Sequence, residues 1–152
     1  MLNFRPILFI LGVLLSTLSI AMVLPALVDA ATGHRDWQVF AASAGLTLFI
    51  GVSLILTMRG GDMKIGIREA FVLTTASWLG MTVFAALPFA FAGLNLSFAD
   101  AFFEAMSGIT TTGSTVIIGL DAAPPGILLW RALLQWLGGI GIIVTAVAVL
   151  PM

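Results

Sequence analysis

The sequence contains no cysteine, one histidine and few charged residues. Without cysteine, neither a disulfide framework nor a thiolate metal site can form. The histidine, His34, lies in a polar loop sequence, where an exposed position is expected rather than a catalytic or metal-binding role. The net charge is −1 and no basic cluster is present, so electrostatics give no basis for binding nucleic acid. No nucleophile–base pair is recognisable, and we expect neither an enzyme nor a covalently bound cofactor.

The shortage of charge also indicates the class of protein. Charged residues make up 9% of the 152 residues and hydrophobic residues 61%, with a mean hydropathy of +1.18. A soluble domain is about one quarter charged, so this composition leaves too little charge for a surface exposed to water. The sequence therefore predicts an all-α integral membrane protein in contact with a lipid bilayer.

Four apolar stretches are long enough to cross a bilayer, which takes about 20 residues in a helix. They cover residues 6–28, 37–58, about 70–90 and about 125–150. The first exceeds the roughly 7–15-residue apolar region of a signal peptide, so we expect an uncleaved helix. The predicted organisation is a transmembrane hairpin, a loop, and two helices joined by a long connection: 1–58, 59–69 and 70–152.

Basic residues set the expected orientation. The loop 59–69 carries Arg59, Lys64 and Arg68. Arg5 lies on the same side, because two spans separate it from that loop. Short loops rich in Lys and Arg remain in the cytoplasm. The N-terminus and the loop are therefore predicted to be cytoplasmic.

The connection between the third and fourth spans begins with a short helix. Its apolar residues recur every three or four positions: Phe98, Ala101, Phe102, Ala105, Met106 and Ile109. This spacing predicts a helix over 98–109, with Ser97 as its N-cap, or Asp100 if the helix begins later. About 12 residues extend only ~18 Å, which is too short to cross the hydrocarbon core.

A run of hydroxyl residues and glycine, TTTGST (110–115), follows this helix. Irregular backbone at membrane depth is tolerated only where it is buried in protein or lines a water-filled cavity. A half-length helix followed by an extended segment that returns to the same side meets this condition as a re-entrant pore loop. The helix C-terminus and successive backbone carbonyls suit a dehydrated monovalent cation, and Gly113 permits backbone angles that a side chain forbids.

The predicted ion-binding residues of this selectivity filter are Thr110, Thr111, Thr112, Gly113 and Ser114. Their hydroxyl groups are expected to hold the segment by local hydrogen bonds or to add ligands. Two other interpretations remain open. The run could pack between membrane helices, where Ser and Thr often form hydrogen bonds, or it could bind another substrate.

Three charged residues lie near the predicted loop. Asp100 and Glu104, one turn apart at the start of the short helix, are expected to concentrate cations at the outer mouth, to complement the positive helix N-terminus, or both. Arg131 is the only charge in the last span. It is expected to extend toward the interface, and the alternative is an ion pair with an outer-mouth carboxylate.

The last span also contains three glycines, Gly138, Gly139 and Gly141. Small residues let helix backbones approach closely. Packing against the pore loop is the favoured role for these glycines, and gating flexibility is the second.

Four stretches resemble the Trk/Ktr/HKT superfamily of potassium transporters, and within it the membrane subunits of bacterial Trk uptake systems. They are REAFVLTTASW (68–78), ALPF (86–89), FADAFFEAMSGITTTGST (98–115) and LLWRALLQWLGGIGIIVTAVAVLP (128–151). The resemblance is specific over 65–151 and generic over the first two helices. It implies a potassium-channel-like pore built from four helix–pore loop–helix units in one chain.

The resemblance also implies roles for individual residues. Thr111 to Thr115 stand where a potassium channel filter has TVGYG, with K⁺ contacts at Thr111 and Thr112. In plant relatives, serine at the position of Gly113 accompanies a preference for sodium. Gly113 therefore implies potassium as the transported ion.

Further implications concern partners and location. The family implies the inner (plasma) membrane, a homodimer, and a cytosolic nucleotide-binding regulatory subunit. Because one pore-loop unit is present where four are needed, we expect an N-terminal portion of a longer chain, with a tetramer as the alternative. The rival functions are a non-transporting structural or assembly subunit, and a sodium-coupled or sodium-selective transporter.

Overall fold

The computed structural model describes residues 4–60 and 65–149, and this part of the chain contains helices and no strand. The helices are α1 (Phe4–Thr32), α2 (Trp37–Met58), α3 (Ile67–Phe91), α4 (Phe98–Ile109) and α5 (Pro125–Val149), with a 3₁₀ turn at Leu120–Ala122. Four of them, α1, α2, α3 and α5, are long and apolar enough to cross a membrane. The all-α membrane fold predicted from the sequence is therefore confirmed.

The helix bounds agree closely with the predicted spans. The helix α4 occupies the predicted range 98–109, and α1 continues beyond the predicted end at residue 28. Its actual end is a glycine-terminated cap, in which Gly33 adopts φ +77°. The His34 N–H donates to Asp29 O at 2.9 Å, and the Gly33 N–H donates to Ala30 O at 3.4 Å, as in a Schellman motif.

Two predicted features fall outside the described residues. One is the middle of the loop 59–69, since residues 61–64, including Lys64, are not described. The other is the predicted end of the last span, at 150–152. At the described edge of the loop, Arg5 Nη1 of α1 donates to Gly60 O at 3.4 Å. Arg5 and Arg59 therefore lie at the same end of the helix bundle, as their sequence positions predict.

The first two helices form an antiparallel hairpin through small residues. A Cβ added at Gly12 would lie 2.7 Å from Gly51 O, so the two backbones are in direct contact there. Farther along, Ser19 Oγ donates to Ala44 O at 2.8 Å across the same interface. The hairpin is thus held by close packing and by one buried interhelical hydrogen bond.

Buried aromatic residues join the hairpin to the helices that follow. Trp130 of α5 is fully buried, and its indole Nε1–H donates to Ala85 O of α3 at 3.1 Å. Its ring meets Phe40 of α2 edge to face, with centroids 6.2 Å apart and an interplanar angle of 78°. The short helix α4 lies between α3 and α5. This packing fixes the position of α5, on which the region after α4 depends.

We predict that Gly51→Ala destabilises the protein by about 1–3 kcal/mol, as overpacking of a filled interface does. The added Cβ would lie 2.6 Å from Ser16 Oγ and 2.9 Å from Gly12 O. Gly45→Ala in the same helix is the matched control, since a Cβ there meets no atom within 4 Å. Thermal unfolding in detergent measures both, and equal melting temperatures would contradict the packing described.

Candidate functional site

The helix α4 begins with a complete capping box. Ser97 Oγ accepts from the Asp100 N–H at 3.2 Å, and Asp100 Oδ2 accepts from the Ser97 N–H at 3.2 Å and the Ser97 hydroxyl at 2.6 Å. Ser97 is therefore the N-cap. Asp100 completes the cap, which is one of the two roles predicted for it.

The C-terminal end of α4 lies against the middle of α5. A Cβ at Gly138 would overlap Ile109 O and lie 2.7 Å from Ile109 C. A Cβ at the adjacent residue of α4, Gly108, would lie 3.0 Å from Cβ of Leu134, which is one turn before Gly138 on α5. Both ends of the connection lie at the same end of the bundle, because Trp130 near the start of α5 bonds to Ala85 near the end of α3. The chain therefore enters the bundle along α4 and turns halfway along α5.

The three glycines predicted to pack against the loop behave differently. Gly138 makes the direct contact with α4, and a Cβ at Gly139 would lie 4.0 Å from Thr111 Cγ2. A Cβ at Gly141 would meet no atom within 4 Å. Close packing is thus concentrated at Gly138.

The backbone turns sharply after α4. The Thr111 N–H donates to Gly108 O at 2.9 Å, and the N–H groups of Thr112 and Gly113 donate to Ser107 O at 3.0 and 3.2 Å. These bonds satisfy the carbonyls of Ser107 and Gly108 in the last helical turn. The groups available to a ligand therefore belong to the segment that follows the helix.

Two residues of this turn have positive φ angles, Thr111 at +59° and Gly113 at +79°. A β-branched residue in this region is a genuine outlier. Such a conformation costs about 1–3 kcal/mol and persists where the surroundings determine it, often at functional sites. The hydrogen bonds back to α4 supply that constraint at Thr111.

Hydroxyl groups anchor the segment to α4 and to itself. Thr110 Oγ1 donates to Met106 O at 2.7 Å and lies 2.9 Å from Thr112 Oγ1. Ser107 Oγ donates to Ser114 O at 2.7 Å. The sequence reasoning did not single out Ser107, although it lies in the last turn of α4. These contacts match the local hydrogen bonding expected for the hydroxyl run.

Several carbonyl oxygens of the segment have no hydrogen-bond donor among the described residues, and those of Thr111 and Thr112 belong to this group. Within the described part of the chain, no group donates to Thr111 O or Thr112 O, whereas Ser114 O accepts from Ser107. Gly113 O lies 3.5 Å from Arg131 Nη2. Residues 111–116 are exposed. Neutral carbonyl oxygens in an exposed segment are suitable ligands for a hard cation.

Glu104 occupies a different position from the one the sequence predicted. It is 1% exposed, and its Oε2 forms an ion pair with Arg131 Nη1. Its Oε1 accepts from Thr115 Oγ1 at 2.6 Å and from the Val116 N–H. The expectation of an outer-mouth charge is therefore wrong for Glu104 in this arrangement, and Arg131 pairs with it instead of extending toward the interface.

A signal for this burial is present in the sequence. Ala101, Glu104, Ala105 and Gly108 follow the i, i+3, i+4, i+7 spacing of one helix face. The other three members are buried in the structure. Glu104 therefore shares the buried face of α4, where a carboxylate needs a partner.

The chain is similar to known cation transport proteins. The family described as TrkH, cation transport protein, matches residues 36–152. The Trk system potassium uptake protein TrkH of Halomonas elongata is 42% identical over 150 residues, which are 98% of this chain and 31% of that protein. The TrkG protein of Escherichia coli K12 is 35% identical over 142 residues, covering 93% of this chain and 29% of its own length.

A solved structure is also similar. The crystal structure of the potassium transporter TrkH from Vibrio parahaemolyticus matches with a TM-score of 0.93 and 40% identity, over 99% of this chain and 32% of that one. The present chain thus spans about a third of the length of the relatives that it matches.

We predict that Gly138→Ala displaces α4 from α5, because the added Cβ would overlap Ile109 O. The expected loss of stability is about 1–3 kcal/mol, or more if the backbone cannot shift. Gly141→Ala is the control in the same helix. Thermal unfolding in detergent distinguishes them, and a Gly138→Ala protein as stable as the control would show that the contact is not tight.

We predict that Glu104→Gln costs about 3–5 kcal/mol, the range for breaking a buried ion pair from one side. The control is Asp100→Asn, which changes a half-buried carboxylate in the capping box of the same helix and is expected to cost about 1 kcal/mol. The double variant Glu104→Gln/Arg131→Gln should recover part of the loss, because no unpaired charge remains. Additive losses in the melting temperature would argue against a coupled pair.

Proposed function

The chain belongs to the TrkH family of cation transport proteins, and from that premise we propose that it forms one part of a potassium uptake pathway across the inner membrane. The family agrees with the one that its sequence motifs resemble. Relatives that it matches are named Trk system potassium uptake proteins, and a similar solved structure is that of a potassium transporter. Since the chain spans about a third of their length, potassium uptake is proposed here for the longer assembly to which these residues contribute.

The observation that carries the proposal is the depth at which α4 ends. Its last residue, Ile109, contacts Gly138 near the middle of a helix long enough to span the membrane. The irregular segment that follows would therefore lie at membrane depth, where exposed backbone is tolerated only beside water or protein. An ion pathway provides that surrounding for residues 111–116.

We assign the cation contacts to the carbonyl oxygens of Thr111 and Thr112. Neither oxygen has a donor among the described residues, and both residues are exposed. In an extended strand, successive carbonyls point in opposite directions. Positive φ at both Thr111 and Gly113 interrupts that alternation, which allows neighbouring carbonyls to face the same side.

The remaining predicted filter residues have supporting roles in this proposal. Ser107 holds Ser114 O, and Arg131 lies beside Gly113 O, so these two carbonyls contribute less to the ion than those of Thr111 and Thr112. Thr110 anchors the turn through Met106 O. Asp100 adds negative charge at the N-terminal end of α4, where it also completes the cap. Potassium suits such a site because carbonyl dipoles replace its hydration shell.

One loop covers one side of an ion. We propose that three further helix–pore loop–helix units of the same longer chain complete the filter, with 1–58 as an added hairpin and 70–152 as the first unit. The clustering of Arg5 and Arg59 at one end supports a cytoplasmic N-terminus. A homodimer and a cytosolic nucleotide-binding regulatory subunit remain part of the proposal on the basis of the family resemblance.

The proposal predicts that Gly113→Ser in the complete transporter shifts selectivity from potassium toward sodium. A side chain at φ +79° is strained by about 1–2 kcal/mol, and its Cβ would lie 3.4 Å from Gln135 Nε2. We expect the backbone at Thr112 to shift as this strain is relieved. Uptake of Rb⁺ and Na⁺ into reconstituted vesicles measures the ratio of the two fluxes.

The matched control is Gly119→Ser. Gly119 has a similar φ of +71° and no neighbour within 4 Å of an added Cβ, but it lies after the exposed segment 111–116. This variant is expected to carry similar backbone strain and to keep the native flux ratio. If Gly113→Ser leaves the ratio unchanged, or if both variants change it equally, the assignment of the filter is wrong.

A further inference from the structure

The described residues contain a buried carboxylate that the proposed ion pathway does not use. Asp29, near the end of α1, is 0% exposed. Its Oδ1 accepts from the Gly126 N–H of α5 at 2.7 Å, across a sequence separation of 97 residues. Its Oδ2 has no hydrogen-bond partner among the described residues. Because burying a carboxylate costs free energy, its contact with α5 is expected to serve a specific role.

The first turn of α5 leaves one donor for Asp29. A helix begins with N–H groups that have no partner inside the helix. Pro125 has no N–H, and the N–H groups of Ile127 and Leu128 donate to Pro124 O at 3.0 and 3.2 Å. The Gly126 N–H is therefore the donor of this turn that needs an acceptor from elsewhere, and α1 supplies it. The negative charge also complements the positive end of the helix.

The residue at position 126 is matched to this contact. A Cβ added at Gly126 would overlap Asp29 Oδ2 and lie 2.6 Å from Oδ1. Only glycine leaves room for the carboxylate to approach the helix end this closely. The α1 helix and the start of α5 are therefore fitted to each other through these two residues.

The position of α5 in turn sets the geometry of the proposed filter. Arg131 of α5 pairs with Glu104 and lies beside Gly113 O, and Gly138 of α5 receives the end of α4. A shift or rotation of α5 would move both contacts together. Any residue that fixes the start of α5 therefore acts on the segment 111–116 without touching an ion.

We propose that Asp29 is a positioning residue for ion selection, through which the N-terminal hairpin holds α5 and hence the filter in place. This inference rests on the proposed function. It gives the hairpin, α1 and α2, a role in ion selectivity.

The test compares Asp29→Ala with Asp29→Asn in the complete transporter reconstituted in vesicles. Asp29→Ala removes the acceptor, and we expect the ratio of Rb⁺ to Na⁺ uptake to fall several-fold. Asp29→Asn keeps an oxygen that accepts from the Gly126 N–H, so its ratio should stay near the native value. Ser19→Ala is the control for a purely structural effect, because it removes the buried Ser19–Ala44 hydrogen bond inside the hairpin.

A native ratio for Asp29→Ala would overturn the inference, and so would an equal fall for Asp29→Asn or Ser19→Ala. If Asp29→Ala does not fold, the double variant Asp29→Ala/Gly126→Ala is used instead. In this variant the Cβ of residue 126 fills the space that the Asp29 carboxylate occupied. That protein is expected to fold and to show the same lowered ratio, and a native ratio would again overturn the inference. Absence of selective Rb⁺ uptake by the native protein would instead count against the proposed function itself.

Discussion

The region after α4 depends on the buried carboxylate of Glu104. One oxygen pairs with Arg131 of α5, and the other accepts from Thr115 and from the backbone of Val116. A single side chain thus joins the short helix, the extended segment and the last long helix. Burying an ion pair costs desolvation free energy, and the attraction between the two charges often only balances that cost. We therefore infer that the pair mainly fixes one arrangement of the three segments and adds little net stability.

Close backbone contact provides the second constraint. At Gly138 the last residue of α4 lies directly against α5, and this contact sets how far the short helix reaches along the bundle. The strained turn at Thr111 follows at once, held by N–H groups that donate back to α4. The exposed carbonyls of Thr111 and Thr112 are therefore a consequence of where α4 stops and how the chain leaves it. Their position does not depend on the hydroxyl side chains alone.

Sequence reasoning predicted the helices well and the contacts between them poorly. The bounds of α4 and its N-cap at Ser97 follow from local periodicity and capping chemistry, which are encoded within a few residues. The partner of Glu104 lies 27 residues away in sequence, and that of Asp29 lies 97 residues away. No local pattern specifies such pairs. The spacing of Ala101, Glu104 and Gly108 places Glu104 on the buried face of α4, a signal that the expectation of an outer-mouth charge overlooked. An ion pair with a carboxylate was the second alternative for Arg131.

The central claim is that Thr111 and Thr112 present backbone oxygens to a potassium-like ion, and anomalous diffraction from crystals of the complete protein grown with Rb⁺ tests it most directly. The account predicts an anomalous peak on the pathway axis within coordination distance of the carbonyl oxygens of both residues. A peak elsewhere on the pathway, with these two carbonyls turned into the protein and bonded to its donors, would contradict it.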